Sequence, residues 1–357
     1  MMNSTEPDSS TTEFDYSDLE SYIPCNKSDV KSFSAWFLPV LYSLVFLVGL
    51  LGNGLVVCVL LLYKKLRSMT DVYLLNLAIS DLLFITSLPF WSHYAAHDTW
   101  IFGSFLCKVV TGFYLTGFYA SIFFITIMSI DRFMAIVFAV NAMKLRSKSH
   151  SVGISIFLWV LSLCASTPSM VFRKLKYQSL QPKCEDEFLE HQTGWNLLIN
   201  FQFNILGLLL PLTIMGYCYT RILLTLMKCR NYKKERAVKL IFVVVLVFFV
   251  FWIPYNIVIF LRSLQKFGFF LDCTWSKNLD YAMQWVETLG LTHCCLNPLI
   301  YALAGQEFKK SVFRMLNRCL TKCNWCNNCK VRTFEVSESG SSTYSKSSGE
   351  MNITRLL

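Results

Sequence analysis

Seven long apolar segments, separated by short polar links, dominate the chain. They are residues 36–62, 72–96, 104–137, 151–171, 195–226, 237–264 and 279–303. Within the third segment, Val109 to Ile130 are 22 residues without a formal charge. At about 1.5 Å per residue they form a helix of roughly 33 Å, which matches the thickness of a bilayer core. The pattern predicts an all-α membrane protein built as a seven-transmembrane helix bundle at 36–303.

The composition and charge agree with a membrane protein. The chain has 357 residues, of which 54% are hydrophobic and only 16% charged, far less charge than a soluble domain of this length would need. The formal net charge of +10 does not indicate nucleic-acid binding, because the bases cluster in the links between apolar segments. The links after the first, third, fifth and seventh segments are the basic ones. The N-terminus is therefore expected outside the cell and the C-terminus inside.

Residues 1–35 form an acidic tail that is expected to be extracellular, with seven acids and two lysines. Tyr16 and Tyr22 lie among these acids, either as sulfation sites or as part of an ordinary solvated tail. Asn3 and Asn26 begin Asn-x-Ser/Thr glycosylation signals. On this topology four cysteines fall outside and allow three pairings. These are Cys25, Cys107, Cys184 and Cys273.

Two different segments follow the last apolar run. Residues 304–318 place apolar side chains among bases, which predicts an amphipathic eighth helix on the inner membrane surface. Residues 319–357 form a cytoplasmic tail rich in Cys and in Ser/Thr, whose phosphorylation would recruit a partner. Its cysteines favour acylation, which would attach this segment to membrane lipid, with a metal cluster as the alternative. They are Cys319, Cys323, Cys326 and Cys329.

Two acids, Asp81 and Glu287, lie deep in apolar segments. An ionisable group there costs about 2.5–3.5 kcal/mol on insertion scales, so a functional role is the default hypothesis. Glu287 should lie near the outer mouth, where it suits a basic ligand group. Asp81 predicts either an allosteric sodium site or a structural hydrogen-bond network; no other metal and no cofactor is expected. Its expected partners are Asn53, Ser121, His293 and Asn297.

Five prolines interrupt five different segments, and each allows a kink. Pro254 follows Trp252 closely, and Pro298 lies within Asn297–Tyr301, so both can act as hinges. This arrangement predicts a two-state switch rather than a pore. The five are Pro89, Pro168, Pro211, Pro254 and Pro298.

The motifs on these helices together resemble the rhodopsin-like G-protein-coupled receptors. They are Asn53, Asp81, Asp131-Arg132, Trp159, Pro211 with Tyr219, Phe251-Trp252-Ile253-Pro254, and Asn297 to Tyr301. More narrowly, residues 67–83, Leu88-Pro89-Phe90-Trp91, residues 131–137 and residues 293–298 resemble the C-C chemokine receptors, closest to the type 4 and type 8 group.

This resemblance implies a plasma-membrane receptor for small, basic, secreted C-C chemokines. In that family the acidic, sulfated tail grips the chemokine core while the chemokine's N-terminus enters the helical cavity. The resemblance implies Cys107–Cys184 and Cys25–Cys273 as disulfides and a sodium pocket around Asp81. The pocket positions that it implies are Tyr42, Trp91, Tyr114 and Glu287.

The resemblance also implies coupling to a heterotrimeric G protein of the inhibitory class, with calcium mobilisation and chemotaxis as outcomes and with receptor kinases and arrestin as further partners. Ser87 stands where the family usually has Thr but keeps a hydroxyl for the kinked backbone. Phe133 replaces the usual Tyr after Arg132, which removes a polar contact. The implied switch and coupling residues are Asp131, Arg132, Tyr219, Trp252, Pro254 and Tyr301.

Other function classes fit the sequence less well. A scavenging receptor of the same fold would internalise chemokine without G-protein coupling; Asp131-Arg132 argues against it, and Phe133 keeps it open. A transporter or channel would need discontinuous paired helices or inverted halves, which the sequence lacks. An intramembrane aspartyl enzyme would need a second deep aspartate facing Asp81. We therefore expect a receptor and not an enzyme.

Overall fold

The described residues of a computed structural model are 28–66, 68–138, 147–178, 181–187, 193–228, 232–270, 272–304 and 306–322. They form eight helices and one hairpin. The elements are α1 (Ser28–Cys58, continued by a π-helical turn, Val59–Lys64), α2 (Met69–Thr86 and Leu88–His97), α3 (Gly103–Val137), α4 (Lys148–Phe172), β1 (Arg173–Gln178), β2 (Gln181–Asp186), α5 (Thr193–Asn204, a π-helical turn Ile205–Leu209, and Leu210–Lys228), α6 (Tyr232–Lys266), α7 (Cys273–Ala304) and α8 (Gln306–Lys322).

The helices α1 to α7 coincide with the seven predicted segments. By length and composition, six helices in the described part of the chain could cross a membrane. Of α1 to α7, the helix not among them is α7, which is 32 residues long but carries polar residues such as Glu287 and the buried His293. A helix that lines a polar interior is less apolar than one that mainly faces lipid.

The first helix begins at Ser28, eight residues before the predicted start at residue 36. Asp29 lies in its first turn, where a carboxylate stabilises the positive end of the helix dipole. The extension also has a tertiary partner, because the rings of Phe33 and Phe37 lie 5.6 and 5.1 Å from that of Trp285 on α7. The helical bundle therefore starts within the segment predicted as a tail.

The helices α2 and α3 approach each other closely at Gly117. A Cβ atom at this position would lie 2.8 Å from the backbone nitrogen of Phe84 and 2.8 Å from the backbone oxygen of Ser80. Only glycine lets the two backbones approach so closely. The contact fixes α3 in the middle of the bundle, where Ser121 and Phe124 are buried.

The helix α2 is interrupted at Ser87, two residues before Pro89, where the sequence predicted a kink. The Ser87 hydroxyl donates a hydrogen bond to the Phe84 carbonyl at 2.6 Å, and Pro89 stands in the first turn of the second half. Proline cannot donate a backbone hydrogen bond, so the ladder is interrupted here, and the hydroxyl bonds the backbone just before the interruption. This is the role expected for Ser87 from the sequence.

A two-stranded antiparallel hairpin follows α4, an element that the all-α prediction did not include. Leu175 on β1 faces Cys184 on β2, and Cys184 is disulfide-bonded to Cys107 at the start of α3. The backbone of Trp100 donates to the Pro182 carbonyl at 2.7 Å. The disulfide and this bond hold the hairpin over one end of the bundle, called the hairpin end below.

Candidate functional site

A cavity of about 620 Å³ lies among the helices at the hairpin end. The hairpin contributes Arg173 and Asp186 to its lining, and α1 to α7 contribute the rest together with Asp98, just after α2. The four pocket positions that the resemblance implied all line it. They are Tyr42, Trp91, Tyr114 and Glu287.

The aromatic residues of this set present polar atoms that the protein leaves unused. The Trp91 indole nitrogen and the Tyr114 hydroxyl are buried without a hydrogen-bond partner among the described residues. The Arg173 guanidinium lies 5.7 Å from the centre of the Trp91 ring, close enough for a cation–π contact. Buried donors without partners are costly, so these two groups are available to a bound molecule.

The cavity also contains bases that the sequence reasoning missed. Four basic residues and three acidic residues line it. The sequence placed Glu287 in an outward cavity but gave no sign of opposing bases, because they come from a hairpin and from helix ends distant in sequence. The bases are Lys31, Arg173, Arg262 and Lys266, and the acids are Asp98, Asp186 and Glu287.

Trp252 lies beneath the cavity in a packed aromatic layer. Its ring centre is 4.5 Å from that of Phe118 and 5.3 Å from that of His293, and only 1% of the residue is exposed. Gly290 on α7 packs closely against the indole, because a Cβ atom at that position would lie only 3.2 Å from it. About one turn of helix further along α3 and α7, Asp81 forms the centre of a polar cluster with Ser121 and Asn297.

Asp81 accepts two hydrogen bonds from other helices. The Ser121 hydroxyl on α3 donates to one carboxylate oxygen at 3.0 Å, and the Asn297 amide on α7 donates to the other at 2.8 Å. All three residues are almost completely buried. The cluster therefore joins α2, α3 and α7 through one buried carboxylate.

The other two predicted members of this cluster bond elsewhere. The Asn53 amide nitrogen donates to the backbone carbonyls of Gly49 and Cys294, both at 3.1 Å. His293 Nδ1 lies 2.6 Å from the Gly290 carbonyl. Asn53 Oδ1 and His293 Nε2 are buried without a hydrogen-bond partner in the described structure. Both atoms remain available to a small cation or to water.

At the opposite end, called the Arg132 end below, Arg132 is held against α2. Arg132 donates to the Thr70 hydroxyl, which in turn donates to Asp131 at 3.2 Å. Asp131 and Arg132 also pair at 3.7 Å.

The start of α2 positions Thr70. Thr70 stands next to Asp71, which caps α2 with Ser68 and pairs with Lys64 at 2.8 Å. The sequence reasoning missed Thr70 because only the fold brings it to Arg132.

Two aromatic residues near Arg132 that the sequence singled out, Phe133 and Tyr219, contact other aromatic rings. Phe133 makes edge contacts with Phe138 and Tyr217, with ring centres 5.5 and 5.7 Å apart. Tyr219 is buried, and its ring lies 5.2 Å from that of Phe242 on α6. Pro254 lies inside α6. The side chain of Tyr301 is outside the described residues.

Several further predictions also fall outside the described residues. They concern Tyr16, Tyr22, Asn3, Asn26 and Cys25, and the side chains of Cys319, Cys323, Cys326 and Cys329. Cys273 is disulfide-bonded, and Cys25 is the partner predicted for it. In the described part of the chain, no three His, Cys, Asp or Glu residues come together as a metal site.

Comparison with known proteins identifies the class. The family described as 7 transmembrane receptor (rhodopsin family) matches residues 52–301, which span the polar cluster, the Arg132 end and most of the cavity. The chain therefore belongs to the rhodopsin family of seven-transmembrane receptors, a class of receptors and not of enzymes.

A curated relative narrows the class. The chain is 46% identical over 324 residues to the human C-C chemokine receptor type 4, an alignment that covers 91% of this chain and 90% of the relative. This confirms the resemblance to C-C chemokine receptors that the sequence motifs indicated.

Proposed function

We propose that this chain is a plasma-membrane receptor that binds C-C chemokines at the hairpin end and activates a heterotrimeric G protein of the inhibitory class at the Arg132 end. The hairpin end and the N-terminus are then extracellular. Calcium mobilisation and chemotaxis are the expected cellular outcomes. Calcium release and cell migration are therefore the responses to measure.

One observation carries the proposal: a cavity containing Glu287 lies at one end, and an Asp131–Arg132 pair lies at the other. In the described residues Glu287 makes no ion pair, so its carboxylate is available to the amine of a basic ligand segment. Arg132 is held by Thr70 and Asp131, an arrangement that suits a resting state. Ligand contacts would shift the population toward a state in which α6 moves outward and exposes Arg132.

A panel of purified C-C chemokines tests the proposal. Cells expressing the chain are scored in parallel for calcium release, with and without pertussis toxin, and for removal of chemokine from the medium. Toxin-sensitive calcium release to one or a few chemokines is the expected result. Uptake without calcium release would instead favour a scavenging receptor, an alternative that Phe133 keeps open. No response of either kind would refute chemokine recognition.

A Thr70→Val substitution is expected to raise basal G-protein activation about fivefold. Valine keeps the shape of threonine but removes the hydroxyl between Arg132 and Asp131. A hydrogen bond is worth about 1 kcal/mol net, which corresponds to about a fivefold shift in population. The measurement is agonist-free nucleotide exchange on purified G protein with receptor in lipid nanodiscs.

The matched control for that experiment is Thr86→Val. Thr86 lies on the same helix but is exposed, and its hydroxyl bonds only to its own helix at the Leu83 carbonyl. Basal exchange of this variant should equal that of the unmodified receptor. Equal basal exchange in Thr70→Val, at equal receptor density, would show that Thr70 does not restrain Arg132.

We also propose that the Asp81 cluster binds a sodium ion that favours the resting state. A carboxylate, a hydroxyl and the free amide oxygen of Asn53 are oxygen ligands of the kind that hard cations prefer. Asp81, Ser121 and Asn297 would hold the ion, with Asn53 and His293 beside it. Its charge would offset that of the buried carboxylate.

Replacing sodium chloride with choline chloride at constant ionic strength is expected to raise agonist affinity by at least about fivefold, the lower range of allosteric coupling. In Asp81→Asn the affinity should no longer depend on the cation. The measurement is saturation binding of a labelled chemokine. A sodium dependence that persists in Asp81→Asn would place the ion elsewhere.

The two tails complete the proposal. Sulfation of Tyr16 and Tyr22 would strengthen capture of a basic chemokine, and glycosylation at Asn3 and Asn26 fits an extracellular tail. On the cytoplasmic side, receptor kinases would phosphorylate the Ser/Thr-rich tail and recruit arrestin. Acylation of the cysteine cluster would attach that segment to membrane lipid.

A further inference from the structure

The bases that line the cavity differ in how their charge is balanced. Three of the four pair with carboxylates in the described structure. These pairs are Lys31 with Asp98 at 3.4 Å, Arg173 with Asp186 at 3.4 Å, and Arg262 with Asp280 at 2.6 Å. The fourth base, Lys266, has no carboxylate within ion-pair distance among the described residues.

Lys266 ends α6 at the rim of the cavity and reaches across to α5. Its ammonium group donates to the amide oxygen of Asn196, which also accepts a hydrogen bond from the Asn200 amide at 3.4 Å. Both asparagines line the same cavity. A neutral amide fixes the position of the ammonium group but does not offset its charge. Asp186 attracts this ammonium group from a greater distance but is already paired with Arg173. This wall of the cavity therefore carries a positive charge without an ion-pair partner among the described residues.

The charge of opposite sign lies on α7. Glu287 lines the cavity with Tyr42 and Tyr114 and has no base within ion-pair distance in the described residues. The cavity thus presents one available carboxylate and one available ammonium group on different helices. A ligand segment with only positive charge would satisfy Glu287 but would leave Lys266 unpaired and repelled. Specific sites commonly use such repulsion against wrong partners.

We infer that Lys266, supported by Asn196, is a subsite for a carboxylate in the chemokine's N-terminal segment, while Glu287 takes the amine. The inference rests on the proposed function and adds a selection rule to it. Chemokines with an Asp or Glu in the segment ahead of their first cysteine are preferred over those without one. The ammonium group, already held in place by Asn196, loses little further side-chain entropy when it binds that carboxylate.

A double-mutant cycle tests this subsite. The probe is a C-C chemokine that binds the unmodified receptor and has one acid in that segment, together with a version in which the acid is changed to its amide. Binding of both versions is measured to the unmodified receptor and to Lys266→Gln. The amide version should bind the unmodified receptor about fivefold more weakly, as expected for one partly exposed ion pair of about 1 kcal/mol. The amide version and the acidic version should bind Lys266→Gln with equal affinity.

Charge reversal gives a second readout. Lys266→Glu should bind a chemokine with lysine in place of the acid better than it binds the acidic parent. The matched control is Lys176→Gln, which removes an exposed base of the hairpin that does not line the cavity. This control should keep the full preference for the acidic chemokine.

Three results would overturn the inference. Additive losses in the cycle would show that Lys266 does not contact the ligand's acid, as would be the case if it paired with the receptor's own acidic tail. If Lys176→Gln and Lys266→Gln lowered the preference for the acidic chemokine equally, that preference would come from long-range electrostatic steering and not from contact with Lys266. Failure of every C-C chemokine to bind the unmodified receptor would refute the proposed function itself, and the subsite with it.

Discussion

A receptor carrying Gly117→Ala is expected to unfold at a temperature about 3–6 °C lower than the unmodified protein, consistent with a cost of about 1–3 kcal/mol for overpacking. The new methyl group would have to fit 2.8 Å from the backbone nitrogen of Phe84 and from the Ser80 carbonyl. Backbone atoms cannot rotate away as a flexible side chain can, so α2 and α3 must separate. The measurement is the thermal unfolding midpoint of detergent-purified receptor.

Gly216→Ala is the control, because nothing lies within 4 Å of a Cβ atom at that position. Alanine is a better helix former than glycine by about 1 kcal/mol, so this variant should be as stable as the unmodified protein or slightly more so. If Gly117→Ala matched the control, the close approach of α2 to α3 would not limit stability. A decrease in both variants would indicate that α-helical glycines matter here for another reason.

Glu287→Gln is expected to reduce chemokine potency in calcium release about thirtyfold while changing chemokine affinity less than about threefold. Removing one partner of a buried charge pair costs about 2 kcal/mol or more, and that loss falls on the step in which the chemokine's amine engages the cavity. Contacts between the acidic tail and the chemokine core are unaffected, so capture persists. The two measurements are a calcium dose–response curve and saturation binding on the same cells.

The control here is Asp272→Asn, which removes an exposed acid just before α7 that does not line the cavity. Both potency and affinity should stay close to those of the unmodified receptor. Equal losses of potency and affinity in Glu287→Gln would contradict the separation of capture from activation. An unchanged potency would exclude Glu287 as the partner of the ligand's amine.

The sequence predicted the helices well because their signal is local. Each apolar segment is long enough to cross a bilayer, and the hydrogen bonds of a helix close within the segment itself. The hairpin after α4 gave no comparable signal. Its strands, Arg173–Gln178 and Gln181–Asp186, are short and polar, and the Cys107–Cys184 disulfide helps to hold them in place.

The parts of the site that the sequence predicted are those that contain an ionisable residue in an apolar segment, because such residues are unusual. Asp81 and Glu287 stood out because few acids occur in apolar segments, and the structure places one in a polar cluster and the other in the cavity. Thr70, Arg262 and Lys266 did not stand out, since threonines and bases at helix ends are common. Their relevance depends on neighbours from other helices.

The sequence alone therefore determined the class of this protein: seven membrane helices, two unusual buried acids and an Asp131-Arg132 pair at one helix end. Local hydrophobicity and the cost of burying charge are enough to specify these features. Tertiary structure decided which groups meet, including the approach of α2 to α3 at Gly117, the Thr70 contact with Arg132, and the separation of Glu287 from Lys266 across one cavity. Such pairings depend on helix rotation and spacing, which are set by packing between segments far apart in the chain.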